Sequence, residues 1–96
     1  MVSKPREYRS KARIYADILK CIVKYGGKVG PTKILYCANL SHDRLMRHLS
    51  NLMKLGLIKE IKEEGRTLYS ITERGKEFLK EFVKIERFAK AFGITI

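Results

Sequence analysis

The sequence has few residues that bind metal ions, with two cysteines and two histidines in 96 residues. Cys21 and Cys37 form no Cys-x-x-Cys pattern and have no neighbouring pair of ligands, so they indicate neither a zinc ribbon nor a redox pair. His42 and His48 are six positions apart, which puts them about 120° apart on a helix and keeps them from sharing one ion. We therefore expect no metal and no cofactor, and we expect both cysteines to be buried thiols.

Long apolar runs are also missing, since uninterrupted apolar stretches are only a few residues long, far short of the roughly 20 that cross a bilayer. The first residues are polar and basic, and no apolar block follows them, which argues against a secretory signal. We expect no membrane partner and a cytoplasmic location. A chain of 96 residues with 45% hydrophobic residues suits one domain with one core.

The combinations of residues that small enzymes use are missing too. No nucleophile stands beside a base and an orienting acid, no carboxylate pair lies in an apolar setting, and there is no glycine-rich phosphate loop. We expect a chain that is not an enzyme and that binds no small molecule.

Acidic residues are scarce relative to basic ones, with 10 Asp and Glu against 21 Lys and Arg, for a formal net charge of +11. Such an excess favours a polyanionic partner, and nucleic acid is the leading candidate because phosphate contacts release bound counterions. The alternative is a solvated basic surface that only confers solubility.

Apolar residues in the first half of the chain repeat every three or four positions, which is typical of helices. A first helix is predicted over residues 11–25, and a second, short helix follows Pro31 and ends at Asn39. Ser41 is well placed to cap a third helix that runs to Leu55. The three-residue corner between the second and third helices has the length found in a helix-turn-helix.

Two short runs after the third helix are typical of strands. Residues 57–62 and 66–71 are rich in β-branched, leucine and tyrosine residues and flank a Glu-Glu-Gly turn. Residues 28–29 could add a minimal strand, and Thr72 can cap a fourth helix over residues 73 to about 92. The pattern predicts a mainly α fold with a small β-hairpin: a winged helix-turn-helix with a long C-terminal helix.

Several segments resemble known winged-helix proteins. Gly-Leu-Ile at 56–58, Glu-Gly-Arg at 64–66 and the run at 69–75 resemble the wing of many prokaryotic winged-helix regulators. Residues 36–41, leading into Leu-Met-Lys-Leu at 52–55, resemble the small basic winged-helix proteins of thermophilic archaea that dimerise through a C-terminal antiparallel coiled coil. The resemblance implies double-stranded DNA binding, as a transcription regulator or a chromatin-associated protein of the nucleoid, and it implies no cofactor.

The chain divides accordingly into three parts. We predict a basic N-terminal arm at residues 1–10, a winged helix-turn-helix DNA-binding domain at residues 11–75, and a C-terminal dimerisation helix at residues 76–96.

The third helix has two unlike sides. Leu45, Leu49 and Leu52 fall in one sector that faces the core, and the opposite sector carries guanidinium, amide and hydroxyl groups. Such groups read base edges and bind phosphates in the major groove, although an ordinary solvated face is the alternative. The predicted DNA-binding residues are Ser41, Arg44, Arg47, His48, Ser50, Asn51 and Lys54 on this helix, Lys62 and Arg66 on the wing, and Arg6 and Arg9 in the arm.

The wing tip itself carries two carboxylates, at Glu63 and Glu64. Because these repel phosphate, either the tip stays away from the duplex or only Lys62 and Arg66 touch it.

Apolar residues of the fourth helix recur at four, three, four and three positions, the spacing of a heptad seam. The residues predicted to form a homodimer contact are Phe78, Phe82, Ile85, Phe88, Ala89 and Phe92. Leu79 and Val83 are expected to pack onto the winged domain instead. The alternatives are packing of the whole stripe within one chain and, if a dimer forms, a parallel or an antiparallel pairing.

Two other functions remain open from the sequence. A winged-helix module can use its third helix against a protein, and a basic surface also suits RNA. Comparing the binding of duplex DNA, single strands and duplex RNA at fixed salt separates these functions.

Overall fold

A computed structural model describes residues 9–96, which fold into four helices and three strands. The elements, in chain order, are α1 (Lys11–Lys24), β1 (Lys28–Val29), α2 (Pro31–Ala38), α3 (His42–Lys54), β2 (Ile58–Glu63), β3 (Arg66–Ile71) and α4 (Glu73–Ala91). This order confirms the predicted winged helix-turn-helix. The predicted DNA contact Arg6 lies outside the described residues.

Side-chain hydroxyls cap the first turns of three helices. Ser41 Oγ accepts the backbone N–H of Arg44 at 3.3 Å, and Thr72 Oγ1 accepts that of Gly75 at 3.0 Å. Ser10 caps α1 in the same way. Each such cap stabilises a helix by about 1 kcal/mol because it pairs an amide that the helix leaves free. The predicted caps of α3 and α4 are confirmed.

The corner between α2 and α3 is fixed by backbone conformation and by one buried side chain. Asn39 adopts the left-handed conformation, with φ 57°, which short polar side chains tolerate well. Leu40 follows with its side chain in the core, and its N–H donates to the carbonyl of Leu35 at 3.1 Å. The predicted helix-turn-helix corner is therefore present.

The strands form one antiparallel sheet in the order β1-β3-β2. Glu64 and Gly65 join β2 to β3 with φ values of 50° and 76°, and positive φ at both central residues favours the tight twist of a hairpin. We call β2, this turn and β3 the wing. Strand β1 pairs Lys28 with Ser70 and Val29 with Tyr69, so the sheet has three strands rather than the two of the wing alone.

The core lies between the three N-terminal helices and the sheet, and it includes the Leu45, Leu49 and Leu52 stripe of α3, which has no exposed surface. Its largest fully buried side chains are Ile18, Leu19, Ile22, Ile34, Leu45, Leu49 and Leu52. None of the helices formed by residues 9–96 combines the length and the apolar character needed to cross a membrane.

The expectation that the cysteines are two buried thiols is wrong. Cys21 and Cys37 form a disulfide with an Sγ–Sγ distance of 2.16 Å, and Cys37 is exposed while Cys21 is buried. Packing of α1 on α2 brings their Cα atoms to 6.0 Å, within the range that a disulfide spans. The bond therefore ties α1 to the first helix of the helix-turn-helix.

The start of α4 is fitted closely to the domain. A β-carbon at Gly75 would overlap the carbonyl oxygen of Leu57 and approach Ile71 Cγ1 to 2.8 Å. Thr72 Oγ1 also donates to the carbonyl of Gly56 at 2.7 Å. Because backbone approaches backbone here, the direction in which α4 leaves the domain is fixed.

The structure corrects the predicted dimer surface in two places. Phe82 and Ala89 are each only 8% exposed, so they are covered by their own chain. The guanidinium of Arg13 lies 5.2 Å from the centre of the Phe82 ring, and the chain turns back after α4, where the N–H of Ile94 bonds to the carbonyl of Ala89. Two of the five residues of the heptad stripe are therefore buried within the monomer.

Candidate nucleic-acid interface

The outward side of α3 is polar and positively charged. Arg44, Arg47 and Lys54 are exposed, and none of them makes an ion pair with an acidic residue in the described part of the chain. The acidic residue of this helix is Asp43, in the first turn, where a carboxylate is stabilised by the helix dipole. The guanidinium and ammonium groups are therefore free to bind an external anion.

Four of these polar residues form one line along the helix. Arg44, Arg47, Asn51 and Lys54 are spaced by three, four and three positions, so successive Cβ atoms lie about 5–6 Å apart on one face. We call these four residues the α3 stripe. It is about 15 Å long at 1.5 Å per residue, which corresponds to about four base pairs of a major groove. Ser50 flanks it and is half-buried.

His48 does not belong to this surface, contrary to the prediction. Its side chain is 7% exposed and its ring meets the edge of Tyr15 with centroids 5.7 Å apart. On the helix it lies about 60° from the core residue Leu45, which explains its burial. Burial, followed by the charges of Arg44 and Arg47, lowers the pKa of His48 below 6.5. At neutral pH it is an uncharged core residue.

The wing carries both predicted cations on its exposed surface, but one of them has a partner. Lys62 Nζ donates to Thr67 Oγ1 at 2.9 Å, while Arg66 makes no ion pair within residues 9–96. Of the two carboxylates at the tip, Glu63 forms an ion pair with Lys28 at 2.5 Å. This pair reduces the repulsion that the tip would exert on phosphate.

A cleft of about 650 Å³ opens between the start of α2 and strand β3. Lys28, Lys33 and Arg66 contribute cations to its lining, and the α2 N-cap residue, Gly30, provides no side-chain cap for the amides of the first turn. Those amides and the positive end of the helix dipole favour an anion at this point. We call this feature the α2 cleft.

Sequence reasoning missed Lys28 and Lys33 as interface residues. They lie on different elements, and only the pairing of β1 with β3 brings them beside Arg66. The sequence feature that could have indicated this surface is Lys28, which lies in a minimal strand just before the Gly-Pro start of a helix. The Lys33 ammonium also lies 5.1 Å from the centre of the Tyr25 ring, a cation–π contact that restrains the side chain.

Arg9 is engaged within the protein rather than free on an arm. Its guanidinium forms an ion pair with Asp17 at 3.1 Å and donates to the carbonyls of Ala38 and Asn39 at 2.8 and 3.0 Å. Those carbonyls belong to the end of α2, where they lack helical partners. Arg9 therefore stabilises the helix-turn-helix, and these contacts argue against its predicted role as a DNA-binding residue of the arm.

The exposed apolar residues of α4 cluster towards its end. Ile85, Phe88 and Phe92 are 58%, 69% and 67% exposed, and the rings of Phe88 and Phe92 touch with centroids 5.1 Å apart. We call these three residues the aromatic patch. Phe78 is half-buried and stacks on Phe82, so of the six predicted dimer residues only three are fully available.

No group of three histidine, cysteine, aspartate or glutamate residues is placed to hold a metal ion in the part of the chain that the structure describes. The site consists of cations, hydroxyls and amides, which suit recognition of an anion rather than catalysis.

The order of elements, the three-residue corner and the wing define a winged helix-turn-helix protein. A family model described as winged helix-turn-helix matches residues 8–90, and the chain belongs to this family.

Solved structures with the same fold include Sso10a-2, a DNA-binding protein from Sulfolobus solfataricus. The two chains are 30% identical, the match covers 88% of this chain and 90% of that one, and the TM-score is 0.74. No curated protein sequence matches the chain.

Two more distant likenesses show the fold alone. A winged-helix DNA-binding protein from STIV is 20% identical, with 94% of this chain and 100% of that one covered and a TM-score of 0.68. The PcaV transcriptional regulator from Streptomyces coelicolor is 22% identical, with a TM-score of 0.70. The match covers 91% of this chain but 62% of PcaV, so the chain corresponds to part of that regulator.

Proposed function

We propose that the protein binds double-stranded DNA as a homodimer, with the α3 stripe in the major groove. The observation that carries this proposal is the stripe itself, a line of three exposed, unpaired cations and one half-buried amide on the second helix of a helix-turn-helix. The DNA-binding description of the similar Sulfolobus protein supports it. The net charge of +11 supports it further, because a duplex is a dense polyanion.

The chemistry of the stripe suits the reading of base edges. A guanidinium such as that of Arg47 can donate two hydrogen bonds to guanine O6 and N7, and the amide of Asn51 can pair with adenine N6 and N7. Arg44 and Lys54, at the two ends of the stripe, are positioned to reach phosphates on either side of the groove. Ser41 and Ser50 offer hydroxyls for the same purpose.

The α2 cleft and the wing would add contacts to the DNA backbone. Lys33 and the free amides at the start of α2 offer donors to one phosphate, and Arg66 offers a guanidinium beside them. Lys62 is a further candidate on the other wing strand. These contacts hold the protein in register on the duplex but carry no base information.

The homodimer would form through the aromatic patch. Ile85, Phe88 and Phe92 are large apolar side chains exposed together at one end of a helix, and contiguous exposed apolar surface marks an interaction site. A two-fold pairing of α4 helices would present two α3 stripes to one DNA, with half-sites about one helical turn or a multiple of it apart.

We infer a role in transcription regulation or in chromatin organisation within the cytoplasmic nucleoid. The 30% identity to the Sulfolobus protein supports the resemblance to thermophilic archaeal proteins noted from the sequence. A catalytic role has no support in the side chains that the structure brings together.

Salt dependence of binding tests the proposal. If about five phosphates are contacted by each protomer, log affinity for a labelled duplex should fall with log salt with a slope of about −4.5 per bound protomer. Fluorescence anisotropy between about 50 and 200 mM salt measures this slope. A slope near zero would overturn nucleic-acid binding.

Competition tests which nucleic acid is bound. Unlabelled duplex DNA should displace the labelled duplex at lower concentration than single strands or duplex RNA of equal length. Equal or better competition by duplex RNA would favour the RNA-binding function, because the deep major groove of RNA does not admit a helix.

A further inference from the structure

A separate groove of about 550 Å³ lies between the end of α1 and residues 76–87 of α4. Its floor consists of the aliphatic side chains of Val23, Leu79 and Val83. Val23 is 48% exposed, and the other two are half-buried. The groove therefore exposes an apolar strip that lies apart from the aromatic patch along the same helix.

The rim of this groove is entirely basic. Four cations follow one another along α4 at intervals of four, four and three positions, and no acidic residue lines the groove within residues 9–96. Two of them have carboxylate partners outside the lining, at Glu73 and Glu81, while the other two make no ion pair in that range. The rim residues are Lys76, Lys80, Lys84 and Arg87.

Charge decides between the possible occupants. If a second copy covered the groove by two-fold pairing, each rim of four cations would face an identical rim, and like charges in contact are costly. A DNA backbone would satisfy the cations but would leave the three aliphatic side chains uncovered. An occupant must therefore be both acidic and apolar.

The length of the basic rim indicates the shape of the occupant. The rim extends over 12 residues of α4 from Lys76 to Arg87, or about 16 Å, which matches about three turns of a helix laid alongside. A helix with apolar residues at i, i+3, i+4 and i+7 presents one apolar strip with polar residues on both sides.

We propose that this groove binds an acidic amphipathic helix of another protein, with its apolar strip on Val23, Leu79 and Val83 and its carboxylates against the basic rim. This surface uses no residue of the α3 stripe, so the protein can hold such a partner while it is bound to DNA.

A labelled peptide of about 14 residues tests the proposal, with leucines at i, i+3, i+4 and i+7 and glutamates at most other positions. Its control has the same composition with the leucines scattered, so that charge is equal and only the apolar strip is lost. The amphipathic peptide should bind the full chain at least about tenfold more tightly than the control. Equal binding of the two peptides would overturn the proposal.

Two sets of variants locate the binding site. Val83→Ser and Val23→Ser keep every charge, and each should weaken the amphipathic peptide about fivefold or more while leaving duplex DNA affinity unchanged. Lys80→Glu combined with Arg87→Glu should reduce peptide binding to the level of the scattered control, whereas Lys59→Glu on β2 should reduce it far less. Circular dichroism spectra establish that each variant is folded.

Duplex DNA as a competitor separates the two possible uses of the basic rim. If duplex DNA displaces the peptide, the basic rim is a phosphate-binding surface and the proposal is wrong. If neither valine variant weakens the peptide, the apolar floor does not bind it, and the proposal is wrong as well.

Discussion

Helices α3 and α4 expose surfaces of opposite chemistry. Leu45, Leu49 and Leu52 of α3 are completely covered by the core, and the α3 stripe of cations and one amide lies on the outward side of the helix. The start of α4 is fitted closely to the domain around Gly75, and the far half of α4 exposes the aromatic patch. If the proposed function holds, DNA contact and self-association use separate helices and can be disrupted one at a time.

The helix-turn-helix and the far half of α4 are also held in place by different kinds of bond. The helix-turn-helix is tied by the Cys21–Cys37 disulfide and by the hydrogen bonds of Arg9 to the end of α2. The far half of α4 is held by Arg13, which bonds to Glu86 at 2.5 Å and to the main chain of Ile96. The helix-turn-helix thus has a covalent bond to α1, whereas the far half of α4 is held by hydrogen bonds and an ion pair.

The largest expected effect is on association. Ile85→Glu places a carboxylate on each side of the proposed two-fold contact, and burying such charges without partners should weaken the dimer at least about 100-fold. Sedimentation equilibrium should give a dimer mass for the parent chain and a folded monomer for the variant. Ile85→Val, which stays apolar, should remain a dimer, and a monomeric parent at tens of micromolar contradicts the aromatic patch as a contact.

Loss of the disulfide should have the next largest effect, which is on the free energy of unfolding. The two cysteines are 16 positions apart, and closing a loop of this length stabilises a protein by about 3 kcal/mol. Cys21→Ala with Cys37→Ser should lower the free energy of unfolding by about that amount in urea titrations. Treatment with a reductant should lower the parent chain to the same stability and leave the variant unchanged; a parent chain indifferent to reductant would refute the bond.

Removal of one side chain that is proposed to contact a base should lower the affinity for DNA and leave the stability of the fold unchanged. Arg47→Ala should weaken binding to a preferred duplex by about 1–3 kcal/mol and relax the choice of base at one or two positions. Binding assays on the preferred duplex and on random duplexes measure both effects. An equal loss on the two would assign Arg47 to the DNA backbone instead of a base edge.

Arg9→Ala should show the reverse pattern. It removes an ion pair and two hydrogen bonds at the end of α2, and because the guanidinium is partly exposed we expect a loss of about 1 kcal/mol in unfolding free energy. Urea denaturation and DNA binding are measured side by side. A stability equal to that of the parent, together with weaker DNA binding, would return Arg9 to the role of an arm contact.

The smallest effect concerns pH. The pKa of His48 is lowered from 6.5 in the folded chain, so the unfolded chain takes up a proton as the pH falls through about 6.5 while the folded chain does not. Stability should therefore decrease slightly between about pH 7.5 and about pH 5.5, and His48→Phe should remove that decrease. The pKa of Glu86 is lowered from 4.5, so this carboxylate changes the stability only at lower pH. A parent chain whose stability stays constant between about pH 7.5 and about pH 5.5 would contradict the burial of His48.

Local features of the fold could be predicted from the sequence because local chemistry determines them. The hydroxyls of Ser41 and Thr72 cap the helices they precede, and the glycine at the wing turn has the positive φ that the turn requires. The stripe of leucines on α3 follows from helical periodicity alone. These signals lie within a few residues of the structure they specify.

Apart from His48, whose burial follows from its position on α3 beside Leu45, the errors concern contacts between distant segments. The cysteines are bonded because α1 packs on α2, and Arg9 is engaged because the end of α2 lies beside α1. Phe82 is covered because Arg13 and the chain after α4 lie over it. A single sequence shows the chemistry of each residue but not which remote segment lies next to it.

The central proposal is that the α3 stripe touches DNA, and a two-dimensional ¹H–¹⁵N NMR titration with a duplex maps the contact surface residue by residue. We predict the largest amide shifts in the α3 stripe, around Arg66 of the wing and at the start of α2. Ile85, Phe88 and the groove between α1 and α4 should change little. Shifts concentrated on α4, with the signals of Arg44, Arg47 and Asn51 unmoved, would contradict this proposal.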